Sequence, residues 1–126
     1  GRAELLHEGG RPVLRVRERF ARAWRHTGIA LDRLGFVVED RNRQEGIYYV
    51  ELVDLLEDAD KEGGDGWFDW LFSSEDEAEI AGGQRFRVVL TDEGESTRIA
   101  IQDEAGQPLA ADKADRILTR LQRQLR

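Results

Sequence analysis

Between Glu18 and Asp54 the chain changes its apolar period from three or four residues to two, and it does so at a glycine. A helix is expected over Glu18 to Leu34: at about 100° per residue, Phe20, Ala23, Trp24, Thr27, Ala30, Leu31 and Leu34 share one face, with Arg22, Arg25, Ile29 and Arg33 opposite. Gly35 follows, as suits a residue that can take φ > 0 just beyond a helix. Phe36 to Asn42 and Ile47 to Asp54 then alternate as strands around Arg43-Gln44-Glu45-Gly46, whose glycine suits a hairpin turn. A helix with one apolar stripe and a hairpin with an apolar face must bury those surfaces on each other, which demands an α+β layer.

The rest of the chain extends the same layer. Residues 1–11 hold Gly9-Gly10 and no periodicity, so they are expected to be a disordered lead-in. Pro12 to Arg17 is a short β-like run whose early proline suits an edge position. Gln84 to Thr91 and Ser96 to Asp103 form a second hairpin about Asp92-Glu93-Gly94-Glu95, with Phe86, Val88, Leu90, Ile99 and Ile101 inward. The last helix takes Asp112 as N-cap with Asp115 in its first turn. It buries Ala114, Ile117, Leu118, Leu121 and Leu125 and exposes Arg116, Arg120 and Arg123. The predicted order is β-α-β-β-β-β-α: an antiparallel sheet of four to five strands with both helices on one face, in a single domain over residues 12–126.

An acidic, tryptophan-rich insertion at residues 55–83 interrupts this framework. From Asp54 to Glu79 there are 11 acidic residues against Lys61, a local balance of −10 within a net charge of −7, which leaves +3 elsewhere. Phosphate binding needs clustered cations, so nucleic acid is excluded as a partner of this segment. Trp67-Phe68-Asp69-Trp70-Leu71-Phe72 puts five large apolar side chains in six residues. Each gains about 1.5–3 kcal/mol on burial, so they are expected to cover the sheet near Tyr49 and Val53 or to dock a partner. Asp58 to Asp69 has calcium-loop spacing in part, but Asp69 stands where the bidentate Glu belongs and Glu62 fills position 5. No metal or cofactor is expected. With no cysteine, two histidines and no nucleophile, phosphate-loop or HExxH pattern, the chain carries no catalytic signature.

Trp24, Ala30-Leu31-Asp32-Arg33-Leu34-Gly35-Phe36, Asp40-Arg41-Asn42-Arg43 and Gly46-Ile47-Tyr48-Tyr49-Val50 together form a spaced pattern. It continues through Gly66-Trp67-Phe68-Asp69-Trp70-Leu71-Phe72, Thr97-Arg98-Ile99-Ala100-Ile101 and Ile117-Leu118-Thr119-Arg120-Leu121. From about residue 13 onward it resembles the helix-grip domain of the BamC (NlpB) lipoprotein family. The resemblance implies a non-enzymatic accessory domain of the outer-membrane β-barrel assembly machinery, whose partners are protein subunits of that complex. It also implies a periplasmic domain held to the outer membrane by a lipid anchor that this sequence lacks, while the two apolar helix stripes and their facing sheet predict a monomer when isolated. Trp67, Phe68, Trp70 and Ile29 are the candidate partner-binding residues. The alternative is a small hydrophobic ligand or lipid held between helix and sheet, against which the large Phe20 and Trp24 argue a filled interior.

Overall fold

Eight elements make up residues 2–52 and 83–126, the part of the chain described by a computed structural model. They are β1 (Ala3–Glu8), β2 (Arg11–Val16), α1 (Phe20–Arg33), β3 (Phe36–Asn42), β4 (Ile47–Leu52), β5 (Gln84–Asp92), β6 (Thr97–Asp103) and α2 (Ala111–Leu125). The strands form one antiparallel sheet in the order β1-β2-β6-β5-β4-β3. Alternate strand residues, among them Leu14, Val16, Val50, Val88 and Ile99, point to one face and share a single core with Leu31 of α1 and Ile117, Leu118 and Leu121 of α2. The α+β class and the two helices on one face are as expected.

The sheet has six strands rather than four to five, because the expected lead-in is a strand. Gly9 (φ 60°) and Gly10 (φ 81°) make a two-residue turn with both residues left-handed, the geometry that matches strand twist and closes β1 onto β2. β2 is therefore not an edge. Pro12 is tolerated because the pairing of β2 with β6 runs from Leu14 to Val16, beyond the residue that lacks an N–H.

Helix starts also differ from expectation. Glu18 precedes α1, and its buried carboxylate accepts from Arg2 at 3.1 Å and lies 2.9 Å from His26 Nδ1, tying the first strand to the helix. Its carbonyl accepts from the buried Thr97 hydroxyl at 3.0 Å. α2 begins at Ala111, after an Ala110 cap that makes no side-chain bond. Asp112 is thus inside the first turn, while Asp115 lies a turn later, 2.8 Å from His7 on β1. Gln122 donates to the Ala3 carbonyl at 3.0 Å, a second tie from α2 to β1.

The face without helices carries half-buried apolar side chains, Leu6 opposite Val13 and Val89 between Ala100 and Ile47, flanked by ion pairs. Those pairs are Arg15–Glu4 (3.8 Å), Arg98–Glu8 and Arg85–Glu39 (3.0 Å). The Arg85 hydrogen bond holds the Glu39 carboxyl below its ordinary pKa.

Trp24 is 8% exposed and stacks between Phe20 (5.7 Å) and Tyr48 (4.0 Å). Replacing it by Ala should cost about 3–5 kcal/mol in a denaturant titration, whereas Ile29→Ala, on the outer face of the same helix, should stay within about 0.5 kcal/mol. An unchanged midpoint for Trp24→Ala would contradict its place in the core.

Candidate interaction surface

The groove between α1 and β3 is set by one side chain from the strand beneath it. Tyr48 on β4 is 2% exposed, and its hydroxyl donates to the Trp24 carbonyl at 2.6 Å. That hydroxyl lies where α1 carries Gly28: a Cβ there would meet Tyr48 Oη at 2.7 Å. Glycine costs helix propensity, and here it admits the phenol to the helix backbone. Burial pushes the Tyr48 phenol above its ordinary value near 10, with Arg41 and Arg43 pulling weakly the other way.

Beside this contact an open cleft of about 420 Å³ runs along the helix. Trp24, Arg25, Gly28, Ile29 and Asp32 form its α1 wall, and Val38 and Arg41 of β3, with Tyr48, form the other. Register explains the second wall. Val38 pairs with buried Val50 and Arg41 with buried Tyr48, so both face the helices, whereas Val37 pairs with Glu51 and Asp40 with Tyr49 on the opposite face. Glu39 is the extra residue between them, where the register shifts. The Arg41 guanidinium lies over the Tyr48 ring, 5.9 Å from its centroid.

Ile29 is 47% exposed and Val37 46%, the two exposed large hydrophobics among the described residues. The sequence singled out Ile29 and missed Val37, although two adjacent valines in a strand must send one to each face. Trp67, Phe68 and Trp70 lie outside the described residues, as does the run Asp58 to Asp69. Phe20, Trp24 and Tyr48 fill the space between α1 and the sheet as a continuous aromatic stack, where the alternative reading would put a small ligand. His7 and His26 are each engaged by a carboxylate, of Asp115 and Glu18 respectively. Among the described residues no three potential metal ligands cluster, and no helix is long and apolar enough to cross a membrane.

The described residues thus define a two-layer α+β domain with an aromatic-filled interior and an apolar, cationic groove beside an edge strand. The sequence profile of the "Outer membrane protein assembly factor BamC-like C-terminal domain" matches residues 5–125, and the chain belongs to that family. It is 33% identical over 125 residues to outer membrane protein assembly factor BamC of Thiobacillus denitrificans, covering 98% of this chain and 34% of that protein. It is 33% identical over 117 residues to the BamC of Accumulibacter regalis, covering 93% and 30%. The Oceanimonas protein of the same name is 28% identical over 122 residues, covering 96% and 34%. The chain thus spans about a third of the length of these relatives.

The buried phenol gives a pH signature. Because its folded pKa is raised, the stability it contributes is complete below about pH 10 and is lost as pH rises through the folded value. Tyr48→Phe should be less stable by about 0.5–1.5 kcal/mol at neutral pH, and the gap to wild type should narrow above about pH 10. Denaturant titrations across that range check this, and a constant gap would contradict it.

Proposed function

We propose that this domain is a non-enzymatic, protein-contacting part of an accessory subunit of the outer-membrane β-barrel assembly machinery. One observation carries the reading: the match to the BamC-like C-terminal domain family extends over residues 5–125, nearly the whole chain. The physical arrangement supports it. Both histidines are engaged by carboxylates in ties between elements, aromatic rings stack between α1 and the sheet, and exposed Ile29 lines a cleft with Arg25 and Arg41. In this reading the domain works on the periplasmic side of the outer membrane, as part of a longer, lipid-anchored chain, and its partners are protein subunits of the same machinery.

The contact residues proposed from sequence are Trp67, Phe68 and Trp70, with Ile29 on α1. An acidic rim around aromatic side chains is the composition of interface centres. Immobilised on a support, the 126-residue domain should retain subunits of the assembly machinery from bacterial envelope extract, identified by mass spectrometry. Trp67→Ala with Trp70→Ala should lower that retention while leaving the melting temperature unchanged. Equal retention by the double variant, or loss of its fold, would remove those tryptophans from the interface, and retention of none of the subunits would overturn the function itself.

A further inference from the structure

We infer that the outer edge of β3 takes an extended, acidic and apolar segment of a protein partner as a seventh strand, with the α1 cleft receiving the side chains on its helix side. The inference rests on the reading of the domain as a protein-contact module and narrows it to one edge. Among the described residues β3 ends the sheet, paired on one side with β4, and its outer edge runs along Val37 to Asn42. An edge strand presents unpaired N–H and C=O groups that an added strand can satisfy, and the alternating side chains of that strand supply specificity. At the opposite edge α2 leans over β1, bonding the Ala3 carbonyl through Gln122 and His7 through Asp115.

The exposed apolar residues match this geometry. Val37 lies on the helix-free face of β3, and Ile29 stands across the cleft from Val38 on the other. A segment alternating along β3 would therefore cover Val37 with one set of side chains and Val38 and Ile29 with the other. Among the described residues Val37 and Ile29 are the large hydrophobics left exposed.

Charge selects the partner. Arg25 and Arg41 line the cleft, and Arg22 and Arg33 continue the α1 stripe; none of the four makes an ion pair among the described residues. Nearby carboxylates offset them only in part. Glu39 is held by Arg85, Asp40 accepts from the Arg41 backbone N–H at 2.8 Å, and Asp32 alone lines the cleft. A second copy of the chain suits the edge poorly, because it would bring the same arginines face to face and because the bulge at Glu39 interrupts a long, flat pairing. A short acidic segment meets neither obstacle.

The test is an NMR titration of the isotope-labelled chain with a peptide of about eight residues built on a Leu-Leu-Glu-Glu repeat, which as a strand carries leucine and glutamate on both faces, and with its Leu-Leu-Lys-Lys counterpart. The glutamate peptide should shift the Phe36–Asn42 amides and the Ile29 methyls and slow exchange at the β3 edge, while the lysine peptide should not. Arg22→Glu with Arg25→Glu should weaken binding on the order of tenfold without altering the melting curve, and Val37→Lys should weaken it independently. No shift at β3, shifts at β1 instead, equal binding of both peptides, or concentration-dependent protection of β3 without peptide would each overturn the edge assignment. Retention of assembly-machinery subunits in that case would leave the broader function standing, so the two failures are distinguishable.

Discussion

The Tyr48 hydroxyl reaching the backbone of α1 is the contact on which the rest of this fold depends. Its acceptor, the Trp24 carbonyl, is also the one that α-helical geometry assigns to the Gly28 N–H, so strand and helix share one oxygen. The Tyr48 ring stacks on Trp24 at 4.0 Å and 17°, and Trp24 in turn on Phe20. A hydrogen bond alone contributes about 0.5–1.5 kcal/mol, but one combined with a buried ring stack fixes both the rotation of the helix and its position along β4. Moving α1 along its axis or turning it would break the hydrogen bond and open the core together.

Function follows from what that contact uses up. The aromatic stack occupies the space between helix and sheet, which leaves the exposed apolar and cationic groups at the rim. There the same helix rotation that buries Trp24 and Leu31 sends Ile29, Arg25 and Arg33 outward, and the bulge at Glu39 lets Arg41 follow Val38 on the helix side. An exposed isoleucine, a half-buried valine and arginines that make no ion pair among the described residues are consequences of how the core is filled. They also have the chemistry of a surface that binds another chain.

Most of this architecture was legible in residue periodicity. The stripe of α1, the hairpin closed by Gly46 and the inward set Phe86, Val88, Leu90, Ile99 and Ile101 all follow from spacing, since burial imposes periods of 3.6 and 2. β1 was missed because Ala3 to Glu8 lacks strict alternation; the legible sign was Gly9-Gly10, a two-residue turn signal between two short runs. Glu18 and Asp112 were misplaced relative to the helix starts, because a carboxylate near a helix end can serve tertiary partners instead of the cap, as Glu18 does with Arg2 and His26. Of the candidate site, the exposure of Ile29 was legible from its angle on the helix. Val37 and Arg41 were not, because pairing register and a one-residue bulge decide which face they occupy. The role of Gly28 was invisible as well, since nothing local in the sequence tells which strand side chain will pass beneath it.

That glycine offers the most direct measurement. In a helix interior Ala is favoured over Gly by about 0.8–1 kcal/mol, so on helix propensity alone Gly28→Ala should stabilise the protein. If the Tyr48–Trp24 contact seats α1, the added methyl instead displaces a buried ring at an overpacking cost of about 1–3 kcal/mol and strains the hydrogen bond. Equilibrium denaturation of Gly28→Ala should therefore show a loss of about 1 kcal/mol or more, reduced when Tyr48→Phe removes the hydroxyl from the same site. A Gly28→Ala protein more stable than wild type would contradict the account.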